Sequence, residues 1–351
     1  TLAGHLGGVT IAPALALAEL ERATGKDIIT AIVLGYEAAA RISECVGNPH
    51  YAIGWHSTGT IGTFGSAVSA GKILQLDGEK MTNTLGLAGT QAAGLFASVK
   101  SYAKPFHAGK ASQNGVLAAL LARKGFSGPL DILENKYGFC RLTSTELHPD
   151  EITKDLGKTY AIVKNSFKLY FTARFEVAPI TIFLARNYNI KPEDVSKVIL
   201  DVATIWADRV DTTPRTITAA KISANYIAAV CITDRACRLE QFSEERLKDP
   251  QLLDLMKKVE VRIDPKADKL DSEGHYPGGV TIITKDGRKF SKFEDDCKGY
   301  YKNPATKEEL KEKFIYLSTK VLTRKKVDAI INTVDKLEEL QNVSKLSGLL
   351  Y

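Results

Sequence analysis

Residues 54–77 read GWHSTGTIGTFGSAVSAGKILQLD. Gly59, Gly62, Gly65, Ser66 and Ser69 recur at helical spacing, so one face of the helix predicted over 59–76 has almost no side chain. Each glycine inside a helix costs about 1 kcal/mol relative to alanine. Several in one helix therefore require a packing or access reason, and the small face allows very close helix neighbours. The stretch also overlaps a run, 46–71, without a single Asp, Glu, Lys or Arg. A charge-free helix with a glycine and serine face belongs inside a helical body, and the first part of the chain reads outward from it.

A second charge-free run covers 81–99. Runs of 26 and 19 uncharged residues exceed or nearly match the length of a membrane span, about 20 residues. Their content argues otherwise: the first holds Asn48, Pro49, His50 and His56, and the second Thr82, Asn83, Thr84, Thr90 and Gln91. Polar but uncharged segments suit buried helices of a soluble protein. Further helices are predicted over 10–23 with Gly25 as a stop, over 27–45 with Asp27 as N-cap, and over 110–124 ending at Gly125.

Charge separates the chain into two parts. Residues 1–140 hold 20 charged side chains and residues 141–351 hold 68. The second part contains strand signals at 195–202 (VSKVILDV), 258–263, 280–284 and 288–293, the last two flanking Asp286–Gly287, a strong hairpin signal. Helices are predicted over 173–187 and 216–239 and from Ser243 onward. Thr306 and Glu309 form a capping box before an apolar stripe of Leu310, Phe314, Leu317 and Val321. The fold class is therefore α+β: a helical domain over 1–164, a smaller α+β domain over 165–297, and C-terminal helices over 298–351 returning to the helical domain.

Composition excludes several functions. The net charge is +6, but in 306–326 Glu and Lys alternate along a solvated helix face, with no basic stripe for nucleic acid. Five scattered cysteines without a C-x-x-C build neither a zinc ribbon nor an iron–sulfur run, and read as buried thiols. No G-x-G-x-x-G follows a strand and no G-x-x-x-x-G-K-[ST] occurs, so no nucleotide cofactor is expected. No H-E-x-x-H is present, and acidic residues that would join the histidines on a metal are lacking nearby. No signal peptide is visible at the start of the chain.

The polar groups set in the charge-poor part carry the chemistry. They are His5 in GHLGG, His56 in GWHSTG, and Lys104, His107 and Lys110 in KPFHAGK. Any one histidine more often serves packing or the surface. Together, glycine-rich approaches, lysines near helix ends and imidazoles that titrate near neutral pH describe a polycarboxylate pocket with a histidine acid or base. Ser57, His107 and Lys110 are the substrate-binding candidates. His107 also fits a helix cap or a supporting role, and Lys110 fits the start of the 110–124 helix. His50, His148 and His275 sit in turn-like contexts, NPHYAIG, ELHPDE and EGHYPGG, and are expected in surface loops.

At GHLGGVTIAPALALAE, GYEAAARI, GWHSTGTIGTFGSAVSAGKILQLD and KPFHAGKASQNGVLAALLARKGFSGP the chain resembles the MmgE/PrpD family. The likeness continues through FKLYFTARF, AAKISANYIAAV, TIITKDGRKFS and NPATKEELKEKF. That family includes 2-methylcitrate dehydratase, cis-aconitate decarboxylase and iminodisuccinate epimerase. The resemblance implies a large helical domain with an α+β lid, no cofactor, a homodimer and a cytosolic or mitochondrial location, of which a cytoplasmic one is expected here. It implies that His5, His56, Lys104 and Lys168 face the substrate. Removing a proton α to a carboxylate makes an aci-carboxylate dianion; Lys104 and Lys168 would stabilise it, and His56 or His5 would move protons. The family's Asp and Thr before the histidine matched to His5 would lie upstream of Thr1. Where many members have Pro and then His after the lid lysine, this chain reads Phe171, Ala173 and Val177, with Arg174 or Glu176 as candidates to replace a lost contact.

The activity expected first is a lyase of the 2-methylcitrate dehydratase kind, in propionate catabolism. The alternatives are a cis-aconitate-type decarboxylase or an iminodisuccinate-type epimerase. From another class, a non-catalytic carboxylate-binding or assembly protein also fits, since the family's Asp is not in this sequence.

Overall fold

The computed structural model describes residues 4–99, 101–173, 177–207 and 210–350. Two compact units emerge, residues 1–163 with 315–351, and residues 164–314. The fold is α+β, mainly helical with one small sheet.

In the first unit α1 (Leu6–Leu20), α2 (Gly25–Ala52), α3 (Thr60–Ile73), α4 (Gly78–Gly89) and α5 (Ala103–Arg123) precede a short α6 (Phe139–Thr143). Helix α3 is the buried centre, with all but Val68 and Lys72 of its 14 residues buried. Its small face admits neighbouring backbones. A Cβ on Gly65 would lie 2.9 Å from the Gly35 carbonyl oxygen of α2, and one on Gly115 of α5 would lie 2.5 Å from the Ala67 amide nitrogen. Phe64, Ile61, Val9, Ala39 and Ala118 fill one side of this packing. Ala14, Leu17, Ile28, Ala70 and Ile73 fill the other, joined by Val343 from the C-terminal segment.

Several boundaries differ from expectation for local reasons. Thr24, not Asp27, caps α2: the Thr24 hydroxyl accepts the Asp27 N–H and the Asp27 carboxylate accepts the Thr24 N–H, a capping box. Gly25 opens this helix rather than stopping the previous one. Helix α2 runs past position 45 through a kink at Gly47, φ +59°, to Ala52. Helix α5 starts at Ala103 rather than 110, because Pro105 falls in its first turn, where proline's missing N–H costs nothing. Lys110 thus lies two turns inside it. Among the described residues no helix is long and apolar enough to cross a membrane. All five cysteines are buried and none is in a disulfide, and the Cys140 thiol is pushed up to about 12, first by burial and then by Cys45.

In the second unit α7 (Val177–Asn187), β1 (Val195–Val202), α8 (Ile217–Ala220), α9 (Ala224–Thr233), α10 (Pro250–Lys257), β2 (Val259–Ile263), α11 (Pro265–Ser272), β3 (Gly278–Thr284) and β4 (Lys289–Glu294) follow in order. The sheet order is β2-β1-β3-β4, with β1 parallel to β2 and the other pairs antiparallel. Val198, Leu200 and Val202 of β1 pack with Ile180, Leu184, Ile227, Leu252 and Met256. The Asp286–Gly287 turn connects β3 to β4, with Gly287 at φ +86°. The single helix expected over 216–239 is broken at 221–223, where the Ser223 hydroxyl accepts the Tyr226 N–H and starts α9 anew. The helix expected from Ser243 starts instead at Pro250, capped by Asp249. Helix α12 (Lys307–Ser318) passes from the second unit to the first, followed by α13 (Arg324–Val334) and α14 (Ser344–Ser347). The α12 capping box forms, but its apolar stripe is not fully buried, and Val321, beyond the helix end, is exposed.

Candidate functional site

The connection between α2 and α3, residues 53–59, is held by a small backbone ladder. Trp55 bridges Leu95, the Gly54 carbonyl accepts the Phe96 N–H at 2.8 Å, and the His56 N–H donates to the Gly94 carbonyl at 3.0 Å. The His56 carbonyl in turn accepts the Gly59 N–H at 2.8 Å, which winds the chain into α3. His56 is thereby fixed at its backbone on both sides, and only 7% of it is exposed.

Its ring meets the second turn of α5. His56 Nδ1 and His107 Nδ1 are 2.9 Å apart, with ring centroids 5.1 Å apart and planes inclined by 43°. Two glycines make this approach feasible. A Cβ on Gly59 would sit 2.5 Å from the Ala93 carbonyl oxygen and 3.3 Å from His107 Cβ, and one on Gly94, at φ +154°, would sit 3.3 Å from His107 Nδ1. Burial, then the neighbouring His107, then the Lys104 ammonium hold the His56 pKa down at about 4. Burial also lowers that of His107.

Lys104 lies in the first turn of α5, one turn before His107. The N-terminal end of a helix is itself partly positive, so ammonium and dipole act together in favour of an anion there. His5 caps α1 without a side-chain cap bond, and its backbone N–H donates to the Thr58 hydroxyl at 3.1 Å. Ser57 is buried beside His56, its carbonyl accepting the Gly62 N–H. Thus His5, His56, Ser57, Lys104 and His107 share one neighbourhood of the first unit. Lys110 is exposed and donates to the Gln113 side chain at 3.0 Å. Lys168 belongs to the second unit, where its carbonyl accepts the Lys313 ammonium. Arg174 and Glu176 lie outside the described residues.

Two residues of this neighbourhood are not marked as functional by the sequence. Thr58, in the quoted GWHSTG, anchors His5, and Gly94 shapes the His56–His107 contact across 51 residues of chain. No local signal marks Gly94. His50, expected in a surface loop, is instead 1% exposed: Nδ1 donates to the Thr143 carbonyl at 3.0 Å and Nε2 accepts the Thr60 hydroxyl at 2.9 Å. Pro49 reads as a turn, but it lies beyond the Gly47 kink, where the chain resumes helix. His148 is exposed near Glu146, and His275 is half-buried against Asp296. Among the described residues no group of three or more His, Cys, Asp or Glu is gathered for a metal ion.

Relatives place this geometry in context. Cis-aconitate decarboxylase from Mus musculus is 27% identical over 351 residues, 95% of this chain and 70% of that protein. The Homo sapiens protein of the same name is 26% identical over 366 residues, 99% of this chain and 74% of its own. That from Aspergillus terreus is 27% identical over 379 residues, 99% of this chain and 76% of its own. The MmgE/PrpD N-terminal domain matches residues 2–151, with the histidine pair, and the MmgE/PrpD C-terminal domain matches residues 177–339. With both domains matched in order over most of its length, the chain belongs to the MmgE/PrpD family.

Proposed function

We propose that the chain is a cofactor-independent decarboxylase of cis-aconitate or a close polycarboxylate. The observation that carries the chemistry is the buried His56 ring, bonded to His107 at 2.9 Å and in the field of Lys104. The names of the relatives favour decarboxylation over the dehydration of 2-methylcitrate expected from the sequence.

The groups fit that reaction. Loss of carbon dioxide from the saturated arm of cis-aconitate breaks a C–C bond and leaves its electron pair on carbon. The pair forms a new double bond, the old one shifts toward the neighbouring carboxylate, and a proton must reach the former vinyl carbon. His56 supplies that proton, and Lys104 stabilises the extra negative charge while it lasts. His5 and Ser57 are candidate carboxylate contacts. Lys168 enters through the family resemblance alone.

The test is a panel of cis-aconitate, 2-methylcitrate, citrate and iminodisuccinate given to the purified protein. Carbon dioxide released from cis-aconitate, and a loss of at least ~100-fold in His56→Gln, is expected. Water elimination from 2-methylcitrate without decarboxylation would restore the dehydratase, and deuterium wash-in without elimination would mark an epimerase. No turnover of any of them, with binding retained, would leave the non-catalytic alternative. The homodimer implied by the family and the expected cytoplasmic location are checked by mass in solution and by cell fractionation.

A further inference from the structure

A 2.9 Å contact between two Nδ1 atoms constrains where protons sit. A hydrogen bond needs one nitrogen to bring a proton and the other a lone pair, and each neutral imidazole has one of each. Two neutral rings must then be opposite tautomers. With one more proton the pair becomes an imidazolium donating to a bare Nδ1. Either way the two rings are coupled, so the proton on His107 Nδ1 and the bare nitrogen of His56 are set together. The glycines at 59 and 94 leave room for no larger side chain here, so the ring pairing is built into the packing.

Deepening the decarboxylase reading, on which the direction of proton flow rests, we propose that His107 is a positioning residue that sets the tautomer of His56 and shares one proton with it. In the loaded state protonated His107 donates Nδ1–H to the bare Nδ1 of His56, and His56 Nε2–H faces the substrate carbon. When the Nε2–H bond breaks and the C–H bond forms, the His107 Nδ1 proton passes to His56 Nδ1. His107 is left neutral with Nε2–H and His56 neutral with Nδ1–H. One proton from water at the vacated site, with return of the Nδ1 proton, resets the pair. The charged group acting on it is Lys104, one turn earlier on α5; His5 is tied to the same segment by its backbone N–H, which donates to the Thr58 hydroxyl, and the His50 ring is engaged by Thr60 and Thr143. Lys104 disfavours a second positive charge in the empty site, whereas a bound polyanion favours it, so the pair loads with substrate.

Two variants separate the roles. His107→Asn keeps an amide where Nδ1 was, able to bond His56 but not to carry a proton; His107→Phe keeps the ring and removes the bond. Nitrogen-15 spectra of histidine-labelled, substrate-free protein report which His56 nitrogen is protonated. The expected result is a changed His56 tautomer population in His107→Phe and its retention in His107→Asn. With substrate, kcat falls by ~100-fold in His107→Phe and less in His107→Asn. KM changes little in both, and the pH profile of His107→Asn loses the limb due to the shared proton. An unchanged His56 spectrum and pH profile in both folded variants would overturn the proposal. If His107→Phe does not fold, His107→Asn still decides it by the pH limb. The spectra need no substrate, so a wild type inactive on the whole acid panel would sink the decarboxylase reading while leaving the tautomer coupling to be judged separately.

Discussion

His50 and His56 are both held neutral by burial, His56 with a pKa of about 4 against an ordinary 6.5. A histidine with a depressed pKa in the fold takes up its proton more readily when unfolded. Its contribution to stability is present above about 6.5 and is lost as pH falls toward about 4. Acid should therefore lower the thermal midpoint across that window. Part of this slope belongs to His56, so His56→Gln is expected to show a shallower loss between the two pH values; an identical slope would show that His56 titrates normally. The candidate site was legible at this scale only in part. GWHSTG and KPFHAGK announce themselves by histidine and lysine among glycines, but the bond between His56 and His107 crosses 51 residues and depends on Gly94, which carries no local signal. Pro49 gives the His50 segment the look of a turn, while its burial depends on Thr60 and Thr143 from other segments.

Helix α3 was readable because its requirement is local: a face without side chains has to meet backbone. The strand at Val195–Val202 was readable for the same kind of reason, a β-branched run that nothing distant had to complete. The start of α5 was not, since Pro105 and Gly109 look like loop residues until the helix is seen to tolerate one in its first turn and expose the other. The two glycines of α5 give a paired prediction. Alanine at either gains about 1 kcal/mol of helix propensity. At Gly109 a Cβ meets nothing within 4 Å, so Gly109→Ala should raise the thermal midpoint slightly. At Gly115 a Cβ lies 2.4 Å from the Ser66 hydroxyl and 2.5 Å from the Ala67 amide nitrogen. Forced overpacking costs ~1–3 kcal/mol and outweighs the gain. Gly115→Ala should lower the midpoint by several degrees, at about 2–4 °C per kcal/mol for a unit of this size. A rise in Gly115→Ala would mean that α3 and α5 are free to separate.

The first unit is assembled from both ends of the sequence, and the join runs through Gly25. Its N–H donates to the Leu340 carbonyl at 2.8 Å, and the Val343 N–H donates to the Ala23 carbonyl at 2.9 Å. Val343 is fully buried among Ala14, Leu17, Ile28 and Ala70. A Cβ on Gly25 would lie 1.6 Å from the Leu337 carbonyl oxygen, a distance no side-chain rotation relieves. The glycine looked like a helix stop in the sequence, and only the returning segment reveals why the position is glycine. At the first position of a helix alanine is ordinarily harmless, so Gly25→Ala isolates the contact with residues 337–343 from any effect on α2 itself. Displacing that segment uncovers Val343, and a fully buried valine or leucine is worth ~1.5–3 kcal/mol. Gly25→Ala is thus expected to lower the thermal midpoint and to expose the chain beyond Val334 to rapid proteolysis, while far-ultraviolet helix content falls little. Equal protection of that segment in the variant and the wild type would show that the C-terminal return is not what closes this end of the helical unit.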